Sequence, residues 1–284
     1  MIYTLQDYRK KHDFLVCVDS DGCAVDNMSL KHLRCFAPCL IHEWSLEDIA
    51  GEVTALWGQI NLYGLTRGIN RFRALALLLE HLHGSGRKIS GLPDLTEWLD
   101  EAETITHETL KEKIRKTDSP ILKKALRWSE QSNRAIDSLP QHEKKFFEGF
   151  REALEGLRCF ADIVVISGTD RETVEKEWRF GGMLDLADAL LCQEAGNKAA
   201  CVAGLCGNGY PESNVMIIGD APTDRAAAEL NGAFFYPILA HRETESWKSF
   251  PAAAEQFRAG TFSRIAPLMA EEFIINLSGG NIRD

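Results

Sequence analysis

No stretch of the 284-residue chain approaches the ~18 uninterrupted apolar residues that a membrane-spanning helix needs, so no spanning segment is expected. Basic residues are in the minority: 32 Lys and Arg against 42 Asp and Glu give a net charge of −10 and a pI near 5.4. A general nucleic-acid binder gains its affinity from a basic stripe that releases counterions, and this balance disfavours one. A locally positive pocket remains compatible with it. The opening residues, Met1 to Asp7, contain no basic region followed by an apolar core. Neither a signal peptide nor a transit peptide is therefore expected, and the cytoplasm is the expected compartment. The Asn-x-Ser sequons at Asn27 and Asn276 carry little weight there. Eight cysteines, several inside apolar runs (Cys17, Cys159, Cys192, Cys201), read as reduced packing residues rather than a disulfide framework. Internal repeats and low-complexity tracts are absent.

What is present is ordinary in bulk and unusual in arrangement. Hydrophobic content of 45% and charged content of 26% suit a globular protein, and the length suits a core domain plus a large insertion. Phe14 to Val18 carries no charge and ends abruptly in Asp19, Asp21 and Gly22, which reads as a buried strand delivering two carboxylates at its carboxyl end. Open α/β sheets hold their ligands at that end. Taken alone, this Asp-x-Asp is as consistent with a polar strand end followed by a turn.

Residues 4 to 12 read as a short helix. From about 30 to 155 the spacing is helical nearly throughout, as in Leu46-Ile49-Val53-Leu56-Ile60 and Ile69-Phe72-Leu75-Leu79-Leu82. Loops punctuate it near His83 to Arg87, Gly91 to Pro93, Thr117 to Pro120 and Ser138 to Pro140, and no strand signal interrupts it. After about 160 strands alternate with helices. Ala161 to Ile166, Ala189 to Cys192, Asn214 to Ile218 and Ala233 to Pro237 read as strands. Arg171 to Arg179, Lys198 to Leu205 and Pro222 to Leu230 read as the helices between them. Such alternation implies a parallel sheet with right-handed crossovers. The expected fold class is α/β: a Rossmann-like core from residues 1–28 and 156–284, and an inserted all-helical domain over 29–155. Residues 240 to 284 read as helices closing the core, with a frayed tail from Ser278.

Four segments fall at strand ends or helix starts: Asp19-Ser-Asp21-Gly22, Ser167-Gly168-Thr169, Gly196-Asn-Lys198, and Gly219-Asp220 with Asp224. Singly, each is as readily a cap, a turn or a solvated helix start. Together and in this order they resemble the four motifs of the haloacid dehalogenase-like superfamily, mostly phosphatases. The resemblance covers residues 14 to 24 and 160 to 237. A phosphate monoester needs a nucleophile, an acid for the leaving oxygen and positive charge against the phosphoryl oxygens. Asp19 is placed to attack phosphorus, and Asp21 to protonate the leaving oxygen and then activate water. Four carboxylates near a phosphate dianion require a cation, and hard oxygen ligands suit Mg²⁺. The resemblance implies the Asp19 carboxylate, the Asp21 carbonyl and Asp220 as ligands, with Asp224 as an outer ligand or an orienter of Lys198. Ser167 and the N–H groups of Gly168 and Thr169 would hold phosphoryl oxygens, and Lys198 would add a second positive charge. One departure is Ala199, where many relatives have proline; it concerns the turn rather than the charge.

Asp21 points to phosphoryl transfer, because the namesake dehalogenases lack an acid two residues after the nucleophile. Phosphonatases use a cap lysine. Here the candidate is Lys31, none follows until Lys88, and the spacing does not match. In this family an insertion between the first two motifs is a lid that excludes water and reads the leaving group. The candidate readers are Lys31 and, on one face of a helix four residues apart, Arg67 and Arg71. A solvated basic face is the plainer reading of that pair. His32, Cys35, Cys39 and His42 could bind zinc, but their spacing is not a common zinc pattern and the intervening residues suggest a packed turn. His81 to Arg87 lacks the strand that a phosphate loop follows. The implied partner is a small phosphorylated metabolite, with no nucleic acid and no membrane. A phosphomutase shares every core motif, and a ligand-binding regulatory protein on the same scaffold is the non-enzymatic alternative.

Overall fold

The computed structural model describes residues 3–279, so the last five residues of the expected tail lie outside the described residues. The chain divides into two compact units, Met1–Met28 with Pro140–Asp284, and Ser29–Leu139. In the first, residues 4 to 7 form a turn rather than a helix: the Asp7 N–H donates to Thr4 Oγ1, and Tyr8 N–H to Leu5 O at 3.3 Å. A Thr and an Asp bonding locally to their own backbone favour a single turn over propagation. Strand β1 (Phe14–Val18) follows, then a tight loop and β2 (Val25–Asp26). Gly22 has φ +74°, a left-handed conformation that the loop needs so that Ala24 and Val25 can both donate to Ser20 O.

The second unit is helical wherever it is regular: α1 (Met28–Lys31), α2 (Ala37–Trp44), α3 (Ala50–Gly58), α4 (Arg71–Gly84), α5 (Leu92–Glu101), α6 (His107–Thr117) and α7 (Pro120–Asp137). The ladder widens to π-helical turns at His32–Phe36 and Gln59–Tyr63. Its own apolar core is rich in rings, with Trp57 edge-on to Trp128 at 5.7 Å and Phe72 to Trp98 at 5.2 Å.

The first unit resumes earlier than the expected residue 156. Lys145–Phe146 (β3) pairs antiparallel with β2, and α8 (Phe150–Leu157) buries Phe150 and Leu154 in the core. Phe146 and Phe150 stack against each other and meet Trp178 edge-on. A two-residue strand leaves no periodic signal, so the spacing over 30 to 155 shows none.

Strands β4 (Ala161–Ile166), β5 (Ala189–Leu191), β6 (Val215–Gly219) and β7 (Phe234–Pro237) join β1 in one parallel sheet of order β5-β4-β1-β6-β7. Alternate residues face opposite sides. Val16, Val18, Ile163, Val165 and Ile218 pack on the face of α8, α9 (Arg171–Phe180) and α12 (Glu243–Arg258). Leu15, Cys17, Val164, Ile166 and Ile217 pack on the face of α10 (Lys198–Cys206), α11 (Pro222–Leu230) and α13 (Ala266–Leu277). This is a three-layer α/β/α core with β1 at its centre. The chain builds outward from β1 to β4 and β5, then returns to β6 beside it. The strand order therefore reverses between β1 and β6, the place where such sheets open a ligand crevice. No described helix is long and apolar enough to cross a membrane. Cys17, Cys192 and Cys201 are buried free thiols, but Cys159 is exposed rather than packed.

Candidate active site

Asp19 and Asp220 leave the carboxyl ends of β1 and β6, on either side of the point where the strand order reverses. Both are buried, 5% and 1% exposed. Asp19 is pinned by its own backbone, since its N–H donates to Ile218 O at 2.9 Å and its Oδ1 accepts the Ser20 N–H at 2.8 Å. Lys198 opens α10, whose amino end Asn197 caps by accepting the Ala200 N–H at 2.8 Å. That placement brings the Lys198 ammonium 2.7 Å from Asp19 Oδ2 and 2.6 Å from Asp224 Oδ1. Asp224 in turn accepts the Ala221 N–H at 3.1 Å and occupies the volume that a Cβ on Gly219 would fill.

One carboxylate oxygen from each of Asp19, Asp220 and Asp224 lies within 4.8 Å of the others. Among the described residues this is the one such group of three or more His, Cys, Asp or Glu side chains, and His32, Cys35, Cys39 and His42 do not form another. Burial pushes the Asp19 carboxyl well above the usual range, Lys198 opposes that, and Asp224 and Asp220 add to it. Asp224 is raised by burial too, with Lys198 again opposing and Asp220 adding. For Lys198 burial pulls down, but Asp19 and Asp224 outweigh it and its pKa is raised. Three carboxylates against one ammonium leave a deficit of positive charge in a buried volume. An all-oxygen donor set with that deficit fits a hard divalent cation.

Asp21 is half-buried and held on both oxygens. Asn27 Nδ2 donates to Oδ1 at 2.6 Å, and Thr169 Oγ1 donates to Oδ2 at 2.7 Å. Ser167 is buried; its Oγ accepts the Thr169 N–H at 3.1 Å while its own N–H donates to Leu191 O at 3.0 Å. Helix α9 is capped by Asp170, which accepts the Thr173 N–H at 2.9 Å, so Ser167 is not consumed as a cap. Gly168 is exposed, and a Cβ there would meet nothing.

Two of the three basic residues of the other unit are placed differently from the sequence expectation. Arg67 and Arg71 do not share a helix face: Arg67 sits in the turn before α4, and Arg71 is its first residue. Asn70 stops any helix there, with ψ +134° and its side chain accepting the Phe72 N–H at 2.9 Å. Arg67 is buried and donates to Leu62 O at 2.6 Å. Arg71 lies over the Phe36 ring at 4.8 Å and donates to Ser129 Oγ at 3.2 Å and to Asn133. Lys31 ends α1 and is buried.

Several residues around the acids escaped the sequence reading. Trp178 Nε1 donates to Ser20 Oγ at 3.0 Å and Trp247 Nε1 to Cys23 O at 2.7 Å, clamping the loop after β1. Asn27 also donates to Glu177 Oε2 at 3.2 Å, and Glu177 Oε1 lies 3.0 Å from Lys144 Nζ, with both of those side chains at most 3% exposed. A signal existed for Glu177: it falls between Val174 and Trp178 on the apolar stripe of α9, where a carboxylate is out of place.

No protein-family model and no curated protein matches the chain. Solved structures do. A haloacid dehalogenase-like family hydrolase from Xanthomonas campestris superposes with a TM-score of 0.50 at 16% identity, over 93% of this chain and 99% of that one. A protein assigned as a phosphoglycolate phosphatase from Lactobacillus delbrueckii subsp. bulgaricus gives 0.50 at 15% identity, over 79% of this chain and 85% of the other. The chain has the haloacid dehalogenase-like hydrolase fold, the fold of the superfamily that its four motifs resemble.

Proposed function

We propose that this protein is a cytoplasmic, Mg²⁺-dependent phosphatase acting on a small phosphorylated metabolite through a phosphorylated Asp19. The observation that carries the reading is the buried cluster at the strand crossover: Asp19 ion-paired to Lys198 at 2.7 Å and grouped with Asp220 and Asp224. Asp21 stands two residues on, on the same loop.

Asp19, Asp220, Asp224 and the Asp21 carbonyl would hold the metal, which when bound supplies positive charge against the phosphoryl oxygens. Lys198 supplies a second positive charge and keeps the Asp19 carboxylate oriented. Ser167 and the Gly168 N–H orient the phosphoryl group, joined by the Thr169 N–H once it exchanges its bond to Ser167 Oγ for a phosphoryl oxygen. An Asp19 oxygen attacks phosphorus, the P–O bond to the leaving group breaks, and Asp21 gives that oxygen a proton. Water then loses its proton to Asp21 and attacks the same phosphorus, breaking the bond to Asp19 and releasing phosphate. Asn27 can only donate to Asp21 Oδ1, so the transferred proton belongs on Oδ2, where the Thr169 hydroxyl can turn to accept instead of donate. In this reading the helical unit selects the leaving group, with Lys31, Arg67 and Arg71 as candidate contacts.

The test is phosphate release from a panel of metabolite phosphates, with Mg²⁺ and with chelator, beside Asp19→Asn. Turnover that needs both the metal and the Asp19 carboxylate is expected. Turnover persisting in Asp19→Asn overturns the covalent route. Binding of Mg²⁺ and beryllofluoride without phosphate release from any ester favours a mutase, and binding of neither favours a regulatory protein.

A further inference from the structure

A buried ion pair beneath the acid loop has no part in the chemistry above. Lys144 and Glu177 lie 3.0 Å apart with side chains 3% and 1% exposed, and they come from segments far apart in the chain. An isolated buried pair is weak support for stability, because desolvation of both charges offsets their attraction. What distinguishes this one is its outlet. Glu177 Oε2 accepts from Asn27 Nδ2 at 3.2 Å, and the same nitrogen donates to Asp21 Oδ1 at 2.6 Å.

Asn27 is fully buried, and its amide stands between two carboxylates. Only the nitrogen can face them. Rotating the amide would bring its oxygen against two acceptors, while at present that oxygen makes no hydrogen bond. Glu177 therefore fixes which way Asn27 points, and Asn27 fixes Asp21 Oδ1. Lys144 neutralises Glu177, so the pair presents Asn27 with a strong acceptor but adds no net charge near the acid cluster.

We infer that Lys144 and Glu177 are positioning residues: acting through Asn27, they hold the Asp21 carboxyl where it can serve the leaving oxygen. This rests on the phosphatase reading, and it names residues that neither the four motifs nor the ligand set includes. A positioning role makes a demand that a purely structural one does not. Proton donation matters most when the leaving oxygen is basic. Disturbing Asp21 must therefore slow phosphorylation of Asp19 by alkyl phosphates while sparing phosphorylation by an activated aryl phosphate, whose phenolate departs without help. The value of kcat/KM reads that difference, because the later hydrolysis common to both esters does not enter it.

The test compares Lys144→Met/Glu177→Leu, which removes both charges and the acceptor together, with Lys144→Met/Glu177→Gln, which restores a neutral acceptor. Removing the charges together avoids an uncompensated buried ion. Asn27→Leu, near-isosteric, breaks the link with the pair left intact and serves if the first variant does not fold. For the Leu variants, kcat/KM on an alkyl phosphate should fall on the order of 10²-fold, the lower end of what a positioned general acid contributes. The kcat/KM for 2,4-dinitrophenyl phosphate should change little, and the Gln variant should recover most of the loss. Equal losses of kcat/KM on both esters overturn the inference. A crystal structure of a Leu variant is the second readout: Asp21 retained in its place overturns the inference even if no ester is turned over. An inactive wild type counts against the phosphatase reading and leaves that structural readout standing.

Discussion

At Gly219 a single hydrogen atom decides whether the acid cluster can exist. A Cβ there would overlap the Asp224 carboxylate, so Gly219→Ala must either shift Asp224 off Lys198 or move the end of β6. Overpacking of this kind costs about 1–3 kcal/mol. Urea melts should show that loss, and phosphate release should fall with it; a Gly219→Ala protein with wild-type values of both contradicts the assignment. Lys198→Met tests the same cluster from the other side. Removing one partner of a buried pair costs about 3–5 kcal/mol, because the remaining charge is uncompensated. The sign of the pH dependence follows from the raised Asp19 and Asp224 values. A carboxyl whose folded pKa exceeds its unfolded value stabilises below the unfolded value, and that contribution is lost as pH rises through the folded one. Without the ammonium that opposes the shift, the loss grows. Urea melts of Lys198→Met from pH 5 to pH 8 should therefore show a steeper decline than the wild type, and a flat profile counts against it.

At the level of elements, strands are pinned at both ends by different means. The carboxyl ends carry the acids, and the amino end of β4 is locked by Asp162. That buried carboxylate accepts the Lys11 and His12 N–H groups at 2.8 and 3.0 Å and the Tyr210 hydroxyl, which also meets the Tyr8 hydroxyl at 2.6 Å. Burial alone would raise its pKa, but these donors outweigh it and the pKa is lowered. Tyr210→Phe leaves Asp162 and Tyr8 short of a partner, at about 1–3 kcal/mol. Chemical denaturation should register that loss while kcat stays unchanged, because the lock and the acids occupy opposite ends of the sheet. Much of the architecture was legible because it is local. Val164 to Ile166 and Val215 to Ile218 are β-branched or apolar runs bounded by turn residues, and Pro222 to Leu230 begins where proline favours a first turn. What escaped depends on partners distant in sequence. Lys145–Phe146 is a strand only because Val25–Asp26 lies beside it, and Lys144 matters only because Glu177 of α9 reaches it. Arg67 and Arg71 misled for a local reason, since Asn70 reads as a tolerable helix residue until its side chain is seen capping α4.

At the scale of the whole chain, a cation held by Asp19, Asp220 and Asp224 ties together acids separated by most of the sequence, so binding should register as global stability. At 100-fold excess over Kd one ligand adds about 2.7 kcal/mol. Because Asp19 and Asp224 hold protons to higher pH than usual, metal and protons compete. The Tm increment on adding Mg²⁺ should therefore be larger at pH 8 than at pH 5, and an increment independent of pH contradicts this ligand set. The discontinuity of the first unit also has a meaning in time. β1 pairs with Ala161–Val165 on one side and Val215–Ile218 on the other, while Ser29–Leu139 closes a core of its own in between. During synthesis at ~5–20 residues per second, roughly 7–30 s separate the emergence of β1 from that of its first neighbour. Through that interval an uncharged five-residue segment waits with both edges open, the kind of unpaired strand that is exposed to wrong pairing. The strand that precedes Asp19 is the first made, and it must wait for both of its neighbours.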